Sequence, residues 1–467
     1  MLNRTSQKWY ERIPHPVIML FVIIIFTVIL SYILPAGAYE RELVDGRQRV
    51  IPGSYEKIQQ TPVGLLGMFK AFPIGFKTAS EIIFIVMASG IMFGILEKSQ
   101  MIENTVGTLV KKLGLEKKYF IVVMMTFVYG FLGVAIGYEN NIAMVPIAAV
   151  MSLALGGDLI LAAGISVAAI TVGFGLSPIN PYTVGTGHKI AEMPLFSGAL
   201  LRSILCISAL FILAYYNVRY FKKIIADKTK GLGQGLNTEG FALSKPIEDY
   251  SITKNNWLIL GIFTAGIVVM LFGIFVHDWY INDISAIFLM VAVVSGLVSR
   301  MDGKTLSETV LKSIAVVAPG AFMVGYATTI KVVMEMGNIS DTIAHYLAMA
   351  LSSLPTYASA VFMSIAQSVI NLLIPSGSGQ ALATLPIMIP LGELLGLTRQ
   401  STILAFQIGD GVTNLFNPAL GGLIAMLSLC RVPFDRWLRF IFPLVGLIMI
   451  IAWIALLFSV YINWGPV

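Results

Sequence analysis

The sequence predicts an all-α polytopic membrane protein built from two inverted-topology repeats. Three observations support this fold class. First, 57% of the 467 residues are hydrophobic and only 12% are charged, whereas soluble globular proteins carry about 25% charged residues. Second, charge-free runs recur at the length that a membrane-spanning helix needs, about 20 residues. Third, motifs of the first half recur in the second. These observations exclude a water-soluble enzyme and a nucleic-acid-binding protein.

The first membrane span is predicted at Pro16 to Leu34, a charge-free run that is too long for the apolar core of a signal peptide. Arg4, Lys8 and Arg12 precede this run. Because cytoplasmic segments are rich in Lys and Arg, the N-terminus is expected inside the cell. Residues 1–79 are therefore predicted to form a scaffold span followed by an outside loop.

Residues 80–220 are predicted to form the first repeat. Residues 119–157 should be a re-entrant helical hairpin, because Gly137-Tyr-Glu-Asn-Asn141 interrupts the apolar run with a carboxylate that is costly in lipid. Residues 159–190 should be a discontinuous helix, because Gly and Pro recur between Gly173 and Pro181. An ordinary proline kink is the alternative for this break.

A polar linker, residues 221–256, divides the chain, and its many lysines place it in the cytoplasm. Residues 257–300 are expected to add scaffold spans. The formal charge of +6 is interpreted as Lys and Arg collected in cytoplasmic loops, not as a signal for an anionic partner.

Residues 311–462 are predicted to form the second repeat. It again contains a hairpin, at 356–394, whose turn reads Ile374-Pro-Ser-Gly-Ser-Gly-Gln380. It also contains a discontinuous helix, at 400–430, interrupted between Gly409 and Pro418. Recurrence of the same events in both halves favours an internal repeat over two unrelated kinks.

The two halves align almost without gaps. Pro146 and Gly156 match Pro386 and Gly396 in one common register. Asn180-Pro181 matches Asn417-Pro418 in a slightly shorter register, which a single small indel explains. Ile102 to Thr105 is aligned with Ile339 to Thr342 in this same shorter register.

Loop charges predict that the repeats are inverted. The segment Met101 to Lys118 contains four lysines, whereas its counterpart Gly337 to Pro355 contains no Lys or Arg. The two segments are therefore expected on opposite sides of the membrane, with the C-terminus outside.

Inverted repeats with hairpins and broken helices are typical of secondary transporters, whose substrates and ions bind near the bilayer midplane. The candidate substrate-binding residues lie at the hairpin tips and helix breaks. They are Glu139, Asn140, Asn141, Ser177, Asn180, Thr183, Ser376, Gly377, Ser378, Gly379, Asp410, Thr413, Asn414 and Asn417.

Glu139 and Asp410 are the charged residues of these elements, and each needs a partner at membrane depth. Three partners are open: Na⁺, a coupling proton, or the ammonium or guanidinium group of a substrate. A Na⁺ site would use oxygens of Glu139, Asn180, Asp410 and Asn417. A substrate carboxylate would meet the amides of the Ser376 to Gly379 tip. Acids tied into helix-end hydrogen bonds are the structural alternative.

Several motifs resemble the YfcC-like branch of the DcuC-type C4-dicarboxylate anaerobic carrier family, and the likeness covers nearly the whole chain. They are Tyr32-Ile-Leu-Pro-Ala-Gly-Ala-Tyr-Glu40, Ser177-Pro-Ile-Asn-Pro-Tyr-Thr-Val-Gly185, Glu192-Met-Pro-Leu-Phe-Ser-Gly198, Ile374 to Gln380, and Ala405-Phe-Gln-Ile-Gly-Asp-Gly-Val-Thr-Asn414. The resemblance implies membership of the ion-transporter superfamily. It further implies a homodimer, each subunit having a scaffold domain and a transport domain that moves as an elevator.

The expected function is secondary active transport of a small amino acid or carboxylate metabolite across the bacterial cytoplasmic membrane. Coupling to Na⁺ or H⁺, or exchange, is expected, with no other cofactor. A C4-dicarboxylate carrier of the same fold and an ion channel are the alternatives; some relatives in the resembled branch are basic amino-acid exchangers. No catalytic motif accompanies the four histidines, so an enzyme is not expected. The expected partners are a small-molecule substrate and the lipid bilayer.

Overall fold

The computed structural model describes residues 16–44, 47–51, 53–277, 279, 281–351 and 354–465. The first half of the chain forms ten α-helices in this part. They are α1 (Pro16–Ile33), α2 (Leu65–Thr78), α3 (Ser80–Lys98), α4 (Met101–Leu113), α5 (Lys118–Ile136), α6 (Val145–Ala154), α7 (Leu159–Ala163), α8 (Ala169–Gly175), α9 (Thr186–Ile190) and α10 (Ala199–Ala226).

The second half of the described chain adds nine α-helices. They are α11 (Lys254–His277), α12 (Ile281–Val298), α13 (Gly303–Met336), α14 (Ser340–Leu351), α15 (Thr356–Leu373), α16 (Gly377–Leu394), α17 (Arg399–Thr413), α18 (Gly421–Leu429) and α19 (Phe434–Tyr461). Four short strands lie between α1 and α2. They are β1 (Gly37–Ala38), β2 (Arg41–Val44), β3 (Arg47–Val50) and β4 (Glu56–Lys57).

Eight helices of the described chain are long and apolar enough to cross a membrane. They are Ser80–Lys98, Leu115–Val134, Ala199–Ala226, Lys254–Gly273, Ile281–Val298, Gly303–Met336, Thr356–Leu373 and Phe434–Tyr461. Their apolar faces leave large side chains exposed, among them Leu200, Phe211 and Ile454. The protein is therefore an integral membrane protein, as its composition predicts.

The region predicted as an outside loop is more ordered than expected. Strands β1 and β4 pair antiparallel, as do β2 and β3, so the loop forms two small two-stranded sheets. Helix α2 follows them within the segment assigned to the first span and its loop. Lys70, Pro73 and Lys77 obscure this helix in the sequence. The basic residues Arg4, Lys8 and Arg12 lie outside the described residues.

Both predicted hairpins are pairs of helices joined by a short break. Helix α5 ends at Ile136, and a 3₁₀ turn, Glu139–Met144, leads into α6. Helix α15 ends at Leu373, and α16 begins at Gly377. The predicted interruptions therefore fall where the helices end, while their depth in the membrane remains a prediction.

Both discontinuous helices begin at a capped turn. The Asp158 side chain accepts a hydrogen bond from Leu161 N at 2.8 Å, and Thr398 Oγ1 accepts one from Ser401 N at 3.1 Å. Such caps satisfy the first free amides of a helix.

Both discontinuous helices then unwind. The first is interrupted at residues 176–180, after α8, and the second at residues 414–420, after α17. Gly409 to Thr413 stay helical, so the second break begins later than Gly409, the first residue of the predicted interruption.

Backbone conformation corrects the sequence alignment at one place. Gly156 and Gly396 both have a positive φ, 86° and 78°, at the ends of α6 and α16, which agrees with their alignment. Before the short helices α4 and α14, however, the left-handed residues are Gln100 and Asn338. The alignment made from the sequence pairs Gln100 with Gly337 instead. The sequence alignment is therefore wrong by one position at these two helices. It rests on one matching Ile and one matching Thr, and matching residues do not show where a helix begins.

Helices α2 and α3 together run antiparallel to α13 over its whole length. Cβ atoms added to Gly75 and Gly90 would lie 2.8 Å from Thr329 Oγ1 and 2.7 Å from Val317 Cγ1. Small residues thus let these long helices approach closely, as is common between membrane helices.

The two discontinuous helices cross in direct backbone contact. A Cβ atom added at Gly175 would lie 2.6 Å from Gly411 Cα, and one added at Gly411 would lie 2.5 Å from Gly175 O. Gly175 ends α8 and Gly411 lies in the last turn of α17, so the two helices cross close to both breaks.

Gly175→Ala should lower the thermal stability of the detergent-purified protein, because the new methyl group has no room at the crossing. Overpacking of this kind typically costs about 1–3 kcal/mol. Gly446→Ala in α19 is the matched control, since a Cβ atom there has nothing within 4 Å. Thermal unfolding of both variants is the measurement, and equal melting temperatures would contradict the close contact.

Candidate functional site

The first unwound segment is organised by Asn180. Its Nδ2 donates to Phe174 O at 2.9 Å, and its Oδ1 accepts from Tyr182 N at 2.9 Å and Thr183 N at 3.2 Å. One side chain therefore links the carbonyl before the break to the amides of the half-helix after it. This is the role of an N-cap residue.

The second unwound segment also contains a buried asparagine, Asn417, which bonds to other partners. Its Nδ2 donates to Asn371 O and Oδ1, both at 2.8 Å, while its Oδ1 accepts from Ala419 N at 2.9 Å. Asn180 thus bonds only to backbone groups, whereas Asn417 also bonds to the Asn371 side chain. The Oδ1 atom of each accepts from a backbone amide, so the unpaired oxygens of the site belong to other residues.

Asp410 is buried, with 1% of its surface exposed, and Asn371 of α15 binds it. Asn371 Nδ2 donates to Asp410 O at 2.8 Å, Asp410 Oδ1 at 2.9 Å and Asn414 Oδ1 at 3.0 Å. The hairpin formed by α15 and α16 is thereby joined to the helix break. Asn371, Asp410, Asn414 and Asn417 form one network.

The tip of the second hairpin lies beside this network. Ser376 caps α16, its Oγ accepting from Gly379 N at 3.3 Å, and the tip residues Ser376 to Gly379, including Ser378, are half-buried. A Cβ atom on Gly377 would lie 2.7 Å from Thr183 Cγ2 and 3.5 Å from Asp410 Oδ2. The tip therefore meets both discontinuous helices at Asp410.

The tip of the first hairpin lies against the second half-helix of the opposite repeat. A Cβ atom on Gly422, near the start of α18, would lie 2.8 Å from Tyr138 Cε1 and 3.7 Å from Glu139 Cγ. Glu139 is half-buried, and Asn140 and Asn141 are buried. Glu139 thus lies at the N-terminal end of α18, whereas Asp410 lies with the other hairpin tip.

Four buried oxygen atoms of the predicted site have no hydrogen-bond partner in the described structure. They are Asn141 Oδ1, Thr183 Oγ1, Asp410 Oδ2 and Thr413 Oγ1. A buried acceptor that lacks a donor costs about 1–3 kcal/mol, and a charged one costs more. These atoms are therefore the natural contacts for a cation, a proton or a substrate donor.

No group of three or more His, Cys, Asp or Glu side chains converges in the described part of the chain. A cation at Asp410 would consequently be held by hydroxyl, amide and carbonyl oxygens around a single carboxylate.

Ser177 is tied to residues that the sequence did not identify. Its carbonyl accepts from Gln407 Nε2 at 2.8 Å, and Gln407 Oε1 accepts from Arg202 Nε at 3.0 Å. Gln407 lies one helical turn before Asp410, so helical spacing was a usable signal for it. Asn371 lies two residues before the apolar end of its helix. No spacing or motif in the sequence indicated that it belongs to the site.

Arg202 is a fully buried cation, with 1% exposed. Its Nη1 donates to Gln400 Oε1 at 2.7 Å and Ser197 O at 3.1 Å, and its guanidinium stacks 4.7 Å from the Trp464 ring centroid. In the sequence it precedes an apolar run by one residue, where an interfacial arginine is also common. Arg202 lies outside the hairpins and broken helices, and its link to Ser177 through Gln407 is visible only in the structure.

The family model for DcuC, described as C4-dicarboxylate anaerobic carrier, matches residues 13–461. Two curated proteins are similar over nearly their whole lengths. The Escherichia coli K12 protein named "Putative basic amino acid antiporter YfcC" is 29% identical, covering 96% of each chain. A Haemophilus influenzae protein of undescribed function is 24% identical, covering 98% of this chain and 99% of its own.

Two solved structures are also similar. The Neisseria gonorrhoeae protein MtrF, described among antimetabolite efflux pumps, is 19% identical with a TM-score of 0.43, covering 96% of this chain and 95% of its own. The Alcanivorax borkumensis YdaH transporter is 16% identical with a TM-score of 0.44, covering 97% and 100%.

The family match spans nearly the whole chain, and three of the five motifs that suggested it in the sequence, Ser177 to Gly185, Ile374 to Gln380 and Ala405 to Asn414, lie at the helix breaks and a hairpin tip described above. The resemblance is confirmed. The chain belongs to the DcuC family of C4-dicarboxylate anaerobic carriers, and it is a membrane transporter.

Proposed function

We propose that the protein is a secondary active transporter of a small amino acid or carboxylate, working by an elevator-type alternating-access mechanism in the cytoplasmic membrane. The observation that carries this proposal is the buried Asp410 Oδ2, which has no donor at the point where a hairpin tip and both helix breaks meet. A transporter needs a site of this kind, in which the bound ligand supplies the hydrogen-bond or ionic partners that the protein atoms lack.

The free oxygens at Asp410 can accept three kinds of partner. Na⁺ would add Thr183 and Thr413 hydroxyls to the carboxylate. A proton would neutralise the carboxyl group itself. An ammonium or guanidinium group would donate to Asp410 Oδ2 directly. All three reduce the cost of a buried negative charge.

A substrate carboxylate has a separate place to bind. Helix α16 begins at Gly377, and the free amides of a helix N-terminus attract anions. Because this N-terminus lies beside Asp410, a molecule that carries both an amino group and a carboxylate matches the charges of the site. The name of the Escherichia coli relative, which mentions basic amino acids, favours the same substrate class.

A C4-dicarboxylate is the second candidate, because the family description names it. Two carboxylates next to Asp410 would need bound cations to offset the repulsion. This candidate therefore predicts that binding depends strongly on Na⁺ or low pH.

Two further structural facts support inverted repeats and alternating access. The antiparallel run of α2 and α3 along α13 joins segments that correspond in the two halves, which is the direction that inverted repeats require. Each hairpin tip also touches the discontinuous helix of the opposite repeat, through Thr183 or Gly422. We infer that hairpins and broken helices form the moving domain and that the long helices form a scaffold in a homodimer.

A thermal-shift screen tests the substrate class. Purified protein should be stabilised by L-arginine or L-ornithine, and less by fumarate or succinate, each with and without Na⁺. A ligand at 100 times its Kd stabilises a folded protein by about 2.7 kcal/mol. Stabilisation by dicarboxylates alone would reject the amino-acid proposal, and unitary currents of many ions per opening in planar bilayers would reject a carrier.

Asp410→Asn should abolish ligand-induced stabilisation and uptake into proteoliposomes, with little loss of folding, because it removes the charge and keeps the shape. Glu139→Gln is expected to impair or uncouple transport. Glu335→Gln is the control, since Glu335 is exposed and pairs with Lys331 at 3.6 Å. Normal transport by both Asp410→Asn and Glu139→Gln would reject the central role of these acids.

Labelling of single cysteines tests the inverted orientation. Lys112 on α4 and Tyr346 on α14 are both exposed, and the native cysteines Cys206 and Cys430 are buried. A membrane-impermeant maleimide added to intact cells should label Tyr346→Cys and leave Lys112→Cys unlabelled. Labelling of both from the same side would contradict inversion.

A further inference from the structure

The short helices α4 and α14 connect a long helix to a hairpin in each repeat, and we call them the arm helices. Helix α4 lies between α3 and α5, and α14 between α13 and α15. Left-handed residues precede both, at Gln100 and Asn338. If the hairpins move relative to the long helices, the arm helices must accommodate that movement, because they join the two along the chain.

A segment of the linker, residues 237–256, binds the first arm helix, and we call it the strap. Ser244 N donates to Glu103 Oε1 at 2.6 Å, and the Tyr250 hydroxyl donates to the same oxygen. Asn104 Nδ2 donates to Asn256 Oδ1 at 2.9 Å. The Tyr250 ring covers Gly107, where an added Cβ atom would lie 2.4 Å from Tyr250 Cγ.

The hydrogen bonds from the strap favour the charged form of the Glu103 side chain. Burial opposes its charged form, yet the hydrogen bonds from Tyr250 and Ser244 outweigh burial and lower the pKa of the Glu103 carboxyl group. Glu103 therefore holds the strap as a carboxylate at neutral pH.

The loop that contains β1 to β4, residues 37–57, binds the second arm helix, and we call it the outer loop. Tyr39 N donates to Asp341 Oδ2 at 2.9 Å, and Arg41 Nη2 donates to both Asp341 oxygens at 2.7 and 2.8 Å.

Tyr55 completes the contact of the outer loop with this arm helix. Its hydroxyl lies 3.0 Å from Thr342 Oγ1. Its ring stacks on His345 with centroids 3.9 Å apart and planes 9° apart.

These contacts fall at equivalent positions of the two arm helices. The register that pairs the left-handed residues before the arms also pairs Glu103 with Asp341, Asn104 with Thr342, and Gly107 with His345. The strap is irregular with one short 3₁₀ turn as far as Thr253, and its last three residues, including Asn256, begin α11; the outer loop contains strands. Two structurally unrelated segments therefore bind the same three positions of the two arm helices. In each case a tyrosine ring lies on the third position, Gly107 or His345.

We propose that the strap and the outer loop are matched clasps that keep the two arm helices fixed while the hairpins and broken helices move. Glu103 and Asp341 then act as positioning residues for transport. This inference rests on the proposed function above. The strap and the outer loop lie outside the repeats. They are therefore the segments free to evolve such contacts on opposite faces of a symmetric transporter.

The strap also shows where movement has to occur. The chain as far as Glu239, near the start of the strap, is bound to the broken-helix region: Gly233 N donates to Asp158 Oδ2 at 3.1 Å, and Arg431, which follows α18, donates to Glu239 O. The end of the strap is bound to α4. A displacement of the broken helices must therefore bend the chain between these two attachments, while the clasp at Glu103 stays closed.

Tyr250→Ala and Tyr55→Ala test the clasps, with Lys112→Ala and Tyr346→Ala as exposed controls on the same arm helices. In proteoliposome exchange of L-arginine and of fumarate, each clasp variant should lower the maximal rate about tenfold and leave KM within about twofold. Amide hydrogen exchange of the matching arm helix should also accelerate. Unchanged exchange in both arms would overturn the proposal, whatever the transport result.

A cross-link separates a fixed clasp from a gate that must open. Asn104→Cys and Asn256→Cys, joined by a short bifunctional methanethiosulfonate, should retain transport, and the same cross-link in Tyr250→Ala should restore the maximal rate. Loss of transport on cross-linking, reversed by reductant, would overturn the proposal. If the unmodified protein exchanges neither probe, the proposed function fails at these substrates, while hydrogen exchange still decides whether the arms are clasped.

Discussion

A helix that is interrupted inside a membrane leaves amide and carbonyl groups without partners, and the hydrocarbon interior holds no water to replace them. In each interruption of this protein an asparagine satisfies part of this backbone. Asn180 donates to a carbonyl before its break and accepts from amides after it. Asn417 donates to Asn371 and accepts from Ala419 N. These two side chains therefore hold part of the unwound backbone beside the candidate site.

Because the asparagines are committed to the backbone, the groups left for a ligand are few and well defined. Asp410 Oδ2 and the hydroxyls of Thr183 and Thr413 are buried without donors in the described structure, and the N-terminus of α16 lies beside them. Negative charge and amide donors thus lie within one small region. This arrangement suits the zwitterionic ligand of the proposed function.

The larger features could be predicted from the sequence because they follow from chain-length and backbone constraints. Gly and Pro clusters predicted both helix breaks, and lone carboxylates in apolar runs pointed to Glu139 and Asp410. The parts that could not be predicted depend on packing. Arg202 resembles an interfacial arginine until its burial is known, α2 is masked by Lys70, Pro73 and Lys77, and Asn371 becomes important only through three contacts from another helix. The register error at the arms has the same origin, since matching letters do not report where a helix ends.

The contact between Gly175 and Gly411 has a mechanical consequence. No side chain separates the two backbones at the crossing, so there is no soft layer that rotamer changes could compress or shear. The broken helices of both repeats therefore behave as one stiff body. If the proposed elevator movement carries the site across the membrane, it must carry both half-sites together, and under that proposal an ion in one half and a substrate in the other would travel together.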